Sequence, residues 1–301
     1  MSSERTFALA LIGTGIGGSL TPAMQEREGR AQGLSVTYRR VDLAALGLGV
    51  GDLPEVLRWA RRFGLDGMNI THPCKQAVLP LLDVVDLAAA AIGAVNTVVV
   101  RNGRLVGHNT DASGFVAGLR RALPDGLDGP VVLLGAGGAG SAIGHGLLDA
   151  GLGHLTVVDV DARRRDELVS RLARRFGAGR VAASDVPATA LAGAAGLVNA
   201  TPIGMDSHPG LPLDAHLVRP DLWVADVVYV PIETALVRLA RERGCRVVDG
   251  GGMAVHQAVG AFELFTGRPA DAERVSEHFG RLLAARGTAA PRGPCRAGTI
   301  R

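Results

Sequence analysis

Two α/β sections, the second a doubly wound parallel sheet, are what this sequence predicts. Three observations carry that prediction. Apolar runs of strand length alternate with helix-length amphipathic segments along most of the chain, the order that builds a parallel sheet covered on both faces. A glycine run, residues 135–140, sits between one such strand and the helix that follows it. The chain has 301 residues, of which 47% are hydrophobic, enough for two domains or one large one.

Taken in order, Phe7–Ile12 and Val36–Val41 are strand-like, and Asp52–Phe63 is an amphipathic helix for which Asp52 suits the N-cap. Arg5 before Phe7–Ile12 faintly imitates a signal peptide. That run is short, ends in glycines and has no small-residue cleavage site, so it is assigned to a first strand. Val95–Val100 and Arg104–Val106, joined by Asn102-Gly103, form a hairpin with a type I′ turn. The hairpin delivers Gly107–Asp111 to a helix over Ser113–Leu123. Pro124-Asp125-Gly126 is a turn-rich linker.

Beyond it, Val131–Leu134 and Leu155–Val158 are strands, with a helix through Leu148 between them and a long helix over Asp166–Phe176 after them. Leu197–Ala200, Leu222–Val228 and Arg246–Val248 are further strand candidates. A helix over Met253–Phe265 can pack back on the first section. The Gly-, Pro-, Ala- and Arg-rich stretch 286–301 has the composition of a disordered tail.

Gly135-Ala136-Gly137-Gly138-Ala139-Gly140 has the spacing that brings a pyrophosphate onto a helix N-terminus. The next strand ends in Asp159, 24 residues after Gly135, where an acid accepts hydrogen bonds from ribose hydroxyls and repels a 2′-phosphate. Gly13–Gly18 repeats the glycine pattern, but its following strand is interrupted by charge and its acid, Asp42, falls 29 residues from Gly13. Ser19 and Thr21 follow, expected on one side of an extended segment, and the loop is read as a polyol-binding turn.

Lys75 is the only lysine, against 31 arginines. Arginine replaces lysine wherever positive charge suffices, but not where an amine must lose its proton. Asn69 and Thr71 face one side if their segment is extended, and Pro73 starts a turn or helix that presents Lys75. Asn96 enters the hairpin and Asp111 leaves it. Ser19, Thr21, Asn69, Thr71, Asn96, Asp111 and one amine suit a small polyhydroxylated acid. His72 and His108 receive no ligand role.

Three cysteines without metal-type spacing fit a reducing cytosol, and no metal site is expected. No window of 18 uninterrupted apolar residues exists to span a membrane. The pI of 9.1 accompanies a net charge of only +3 and scattered arginines, so nucleic-acid binding is not expected.

The chain resembles the shikimate/quinate dehydrogenase family over about residues 6–284. The resemblance is carried by Ser-Leu-Thr-Pro (19–22), Asn-Ile-Thr-His-Pro-Cys-Lys (69–75), Gly-Ala-Val-Asn-Thr (93–97), Asn-Thr-Asp (109–111), the glycine run at 135–140, Asn-Ala-Thr-Pro (199–202) and His-Gln-Ala-Val (256–259). It implies a substrate-binding and catalytic domain over 1–111, completed by returning helices over 252–285, and a Rossmann-like dinucleotide domain over 112–251.

It further implies Lys75 and Asp111 as the catalytic pair. Ser19, Thr21, Asn69, Thr71, Asn96, Tyr229 and Gln257 would hold the substrate. Gly135, Gly137, Gly138, Ala139, Gly140, Asp159, Asn199, Thr201, Pro202, Gly250 and Met253 would hold the cofactor. NADP-using relatives carry Asn-Arg-Ser/Thr where this chain has Asp159-Val160-Asp161, which favours NAD over NADP. Thr21 stands where biosynthetic enzymes usually carry Ser. Cys74 and Gln25 also depart from the family pattern, at positions that bear on substrate choice.

The resulting expectation is a cytoplasmic, monomeric or homodimeric enzyme that reversibly oxidises the C3 hydroxyl of quinate or shikimate with NAD. The alternatives are an NADP-dependent biosynthetic shikimate dehydrogenase and an enzyme acting on an aminated ring. A metabolite-sensing regulator would instead show an added effector domain or a damaged Lys–Asp pair.

Overall fold

The computed structural model describes residues 6–124 and 127–287. These hold two six-stranded sheets and the helices around them. The first sheet comprises β1 (Thr6–Gly13), β2 (Ser35–Asp42), β3 (Gly67–Ile70), β4 (Val84–Val85), β5 (Thr97–Arg101) and β6 (Arg104–His108), in the order β2-β1-β3-β5-β6-β4. It is mixed: β1 runs parallel to β2 and β3, while β5 is antiparallel to both β3 and β6. The β5–β6 turn has positive φ at both Asn102 (51°) and Gly103 (73°), the geometry of the expected type I′ turn.

Its helices are α1 (Thr21–Ala31), α2 (Leu53–Arg62), the single turn α3 (Cys74–Ala77), α4 (Leu87–Ile92) and α5 (Asp111–Ala122). Three of these correct the sequence reading. Ser19 and Thr21 do not share an extended segment, because Thr21 is the first residue of α1 and Pro22 its second, a place where proline's missing N–H costs nothing. Asp52 precedes α2 but makes no side-chain bond to it; its Oδ2 accepts the Gly49 N–H at 2.8 Å and closes the preceding 3-10 turn. The helix expected from Ser113 begins at Asp111.

The second sheet is wholly parallel, in the order β12-β11-β10-β7-β8-β9. It comprises β7 (Val131–Leu134), β8 (Leu155–Val158), β9 (Val181–Ser184), β10 (Gly196–Asn199), β11 (Trp223–Asp226) and β12 (Arg246–Val248). With α6 (Gly138–Asp149), α7 (Ala162–Phe176), α8 (Pro187–Leu191) and α9 (Ala235–Glu242), this is the doubly wound Rossmann arrangement. Helix α7 starts four residues before the expected Asp166, because Asp161 caps it by accepting the Arg164 N–H at 3.1 Å. Strand order reverses between β7 and β10, and ligands of such sheets bind at the carboxyl ends of that pair.

Two helices return to the first sheet, α10 (Gly251–Thr266) and α11 (Ala272–Gly287). Phe262 and Phe265 of α10 pack in one core cluster with Phe7, Leu9 and Leu11. The Phe265 ring fills the space left by the missing side chain of Gly67. Helix α11 is tied to α1 through Glu28, which is 2% exposed and accepts from Arg274 Nε at 2.8 Å. Burial alone would raise the Glu28 pKa. The bonds from Arg274, Gln32 and the Asp271 N–H outweigh it, and the carboxyl is held below its ordinary value.

The last turn of α11 takes in residues 286 and 287 of the expected tail. Residues 288–301 lie outside the described residues, as do Asp125 and Gly126 of the expected linker. Among the described residues no helix is long and apolar enough to cross a membrane.

Phe262 is 1% exposed at the junction of α10 and the first sheet. Phe262→Ala is expected to lower unfolding free energy by about 3–5 kcal/mol, read as a lower denaturant midpoint with an unchanged m-value.

Candidate active site

Lys75 and Asp111 come from different elements and meet. Lys75 stands on α3, and Asp111 is the first residue of α5. Lys75 Nζ donates to Asp111 Oδ2 at 2.6 Å, with side chains only 15% and 5% exposed. The other carboxylate oxygen, Oδ1, accepts from Asn96 Nδ2 at 2.9 Å. Both oxygens are therefore oriented, and the amine is held at the rim of the buried region.

Behind this pair runs a chain of buried hydrogen bonds. Asn96 Oδ1 accepts from Thr97 Oγ1 at 2.9 Å and from the Thr110 N–H at 2.8 Å. Thr97 Oγ1 in turn accepts from Asn69 Nδ2 at 3.0 Å, and Asn69 Oδ1 accepts from the Tyr38 hydroxyl at 2.5 Å. Burial pushes the Tyr38 phenol well above its ordinary pKa, so it remains a donor and fixes which way the Asn69 amide points. Asn69 and Asn96, expected to meet substrate, thus brace the Lys75–Asp111 pair from behind.

The remaining expected substrate residues lie around this chain. Ser19 Oγ is 3.4 Å from the Tyr229 hydroxyl and accepts the Thr21 N–H at 3.3 Å. The Thr71 methyl packs against Gly13. Gln257 lies on α10, its Nε2 donating to Ala254 O at 2.9 Å. The neighbouring Gly13–Gly18 loop is occupied by its own strand-end acid: Asp42 accepts the Gly15 and Ile16 N–H groups at 3.1 and 2.9 Å. His108 is engaged outside the cluster, its Nδ1 2.6 Å from Asp86 Oδ2. Burial, before any nearby charge, lowers the His72 pKa.

The glycine loop fits a dinucleotide on two structural grounds. A Cβ placed on Gly137 would meet nothing within 4 Å, which leaves an open face at the start of the 12-residue helix α6. The first N–H groups of a helix lack partners within it and favour an anion there. Asp159 follows the loop closely, since its Oδ2 accepts the Ala136 N–H at 2.6 Å and its Oδ1 the Asp161 N–H at 2.8 Å. A carboxylate has lone pairs beyond these two bonds for ribose hydroxyls. Val160, in the adjacent position, is fully exposed.

Across the switch point Asn199 is fully buried, and its amide is used internally. Nδ2 donates to Ile203 O and Asp226 Oδ1, both at 3.0 Å, and Oδ1 accepts from Thr201 Oγ1 at 2.7 Å. Its side chain shapes the loop through Thr201 and Pro202. Gly250 lies against the backbone, where a Cβ would come 2.5 Å from Val228 O. Met253 packs on the core of the second sheet.

Tyr38, Thr97, Thr110 and Asp226 complete the site and were not anticipated. The chain has only two tyrosines, and both stand at this cluster, so rarity could have flagged Tyr38 as it did Lys75. Thr97 and Thr110 stand inside the Gly-Ala-Val-Asn-Thr and Asn-Thr-Asp motifs, which could have flagged them, whereas no sequence signal marks Asp226.

Comparison with known proteins gives a consistent picture. The profile of the shikimate dehydrogenase substrate binding domain matches residues 11–98, and that of the shikimate 5'-dehydrogenase C-terminal domain matches residues 250–277. A shikimate dehydrogenase (NADP(+)) of Streptomyces avermitilis is 52% identical, over 96% of this chain and 99% of that one. A quinate/shikimate dehydrogenase (NAD(+)) of Corynebacterium efficiens is 49% identical, over 90% of this chain and 96% of that one. Among solved structures, quinate dehydrogenase from Corynebacterium glutamicum in complex with NAD has a TM-score of 0.82 and 46% identity, covering 92% of this chain and 99% of the other.

Asp226, 2% exposed, bonds Asn199, the Val228 N–H and Thr234 Oγ1, yet burial raises its pKa to about 6. A raised folded-state value means that its stabilising contribution is complete below the unfolded value and is lost as pH rises through about 6. The stability of Asp226→Asn relative to the wild type, whatever its sign at pH 5, is therefore expected to rise by about 1 kcal/mol between about pH 5 and 7, measured by denaturant titration of both proteins at each pH.

Proposed function

The chain belongs to the shikimate dehydrogenase family, and on that footing we propose that it reversibly oxidises the C3 hydroxyl of quinate or shikimate with NAD. The observation that carries the reading is the 2.6 Å contact of the sole lysine with a buried aspartate beside the glycine loop. In this reading residues 1–111 and 252–285 form the substrate unit and 112–251 the nucleotide unit.

Ser19, Thr21, Thr71, Tyr229 and Gln257 hold the ring acid, and Asn69 and Asn96 complete the wall. Once the ion-paired Lys75 has released its own proton to solvent, its amine takes the proton of the ring hydroxyl and holds it as an ammonium against Asp111. In the reverse direction the ammonium returns it. Asp111, its second oxygen fixed by Asn96, keeps the amine aimed and balances the charge that forms on it, so proton transfer needs no rearrangement of the surroundings. The nicotinamide nucleotide, when bound, supplies the hydride acceptor. Gly135, Gly137 and Gly140 shape its phosphate seat, and Asp159 receives the ribose.

NAD is preferred because Asp159 presents a carboxylate where a 2′-phosphate would come, with Val160 beside it in place of a cation. The NADP name of the Streptomyces avermitilis relative favours the competing reading, a biosynthetic NADP enzyme. Initial rates at 340 nm on quinate and shikimate, each with NAD⁺ and NADP⁺, separate the two. Rates limited to NADP⁺ and shikimate would replace the proposal with that alternative.

Lys75→Arg retains the charge but cannot release a proton. Its kcat is expected to fall about 100-fold or more with a modest change in ring-acid KM, and turnover near wild type would remove the amine from the chemistry. Asp159→Ala is expected to reduce the NAD-over-NADP ratio of kcat/KM by about tenfold, the equivalent of about 1.4 kcal/mol. An unchanged ratio would place selectivity on other residues.

A further inference from the structure

The four glycines between 135 and 140 are required by different neighbours. Gly135 has a φ of +100°, and a Cβ there would lie 2.9 Å from the Ala200 carbonyl carbon. One on Gly140 would strike the Gly135 carbonyl oxygen, and Gly137 faces open space. Gly138 faces neither backbone nor open space. A Cβ on it would lie 2.7 Å from Lys75 Cβ, 3.1 Å from its Cδ and 3.4 Å from its Cγ. The lysine stem therefore lies along the first turn of α6, directly on the helix that starts at the nucleotide seat.

We propose that Gly138 is a positioning residue for Lys75: its bare Cα seats the lysine stem on α6, and the lysine, rather than the nucleotide, is the reason a glycine stands there. The tightest contact is with Lys75 Cβ, which is fixed to the backbone of α3, so rotation of the side chain cannot relieve it. Any side chain at 138 must push α3 and α6 apart and carry the amine away from the nucleotide end of the cleft. The Lys75 stem thus links the two halves of the molecule, and its registry with the nucleotide helix is set by a single missing methyl group. The inference rests on Lys75 being the proton acceptor.

The test uses the full chain and compares Gly138→Ala with Gly137→Ala and Lys75→Arg. NADH affinity is read by fluorescence titration without ring acid, and kcat by absorbance with the preferred ring acid. Gly138→Ala is expected to keep NADH affinity within about threefold while kcat falls about 100-fold, the scale of a displacement of about 1 Å at a reacting group. Gly137→Ala, whose methyl enters the open phosphate face, is expected to weaken NADH by about tenfold or more.

Because the chain has one lysine, carbon-13-labelled lysine gives a single side-chain signal independent of turnover. That signal is expected to move when NADH alone is added to the wild type, and to be displaced in Gly138→Ala before any ligand is added. The wild-type measurement stands even if the variant does not fold. Wild-type turnover in Gly138→Ala beside an inactive Lys75→Arg overturns the seat alone, whereas an active Lys75→Arg overturns the acid–base reading beneath it. A loss of NADH affinity in Gly138→Ala equal to that of Gly137→Ala, or a lysine signal indifferent to NADH, also overturns the seat.

Discussion

An ion pair between the only amine side chain and a nearly buried carboxylate is the constraint around which the structure is arranged. Removing charges from water is costly unless both partners are paired and their remaining valences are met. Asp111 meets that condition with Lys75 on one oxygen and Asn96 on the other. Asn96 is in turn locked by Thr97 and Thr110, and Asn69 by Tyr38. The first sheet exists in the right form for this. Antiparallel β5 and β6 put Asn96 and Asp111 at the two ends of one hairpin, and β3 beside β5 brings in Asn69 and, one turn later, Lys75.

Much of this was legible in the sequence where the chain obeys local rules. The hairpin was visible because Asn-Gly admits positive φ at both central residues, and β7, α6 and β8 because glycines separate two strongly apolar runs. Helix α1 was missed because its residues 21–31 hold charged residues, two alanines and a glycine without an apolar stripe. What stabilises it is tertiary: Glu28 against α11 and Met24 against α10. Strand β9, Val-Ala-Ala-Ser, lies at a sheet edge and has too little apolar character to announce itself.

The site divides in the same way. Lys75 and the glycine run stood out by rarity and by pattern. The bracing roles of Tyr38, Thr97 and Asp226 depend on partners 31, 28 and 27 residues away, and no local rule contains them. The Gly13–Gly18 loop shows the limit of pattern in the other direction. It carries the right spacing, but Asp42 occupies its amides, so the number of amides left unbonded says more about a loop than the glycines that shape it.

Glycine also governs how the two halves meet. Helix α5 lies against α10 with almost nothing between them: a Cβ on Gly252 would come 3.0 Å from Gly118 Cα, and one on Gly114 2.6 Å from the Gln257 nitrogen. On its other side α5 meets α6, where a Cβ on Gly146 would come 3.0 Å from Ala112 O. Main chains seated this closely cannot slide, since an axial step of either helix drives a neighbouring side chain into the groove. The trio is therefore keyed rather than greased: three bare stretches of backbone fix the axial height at which the two halves are joined.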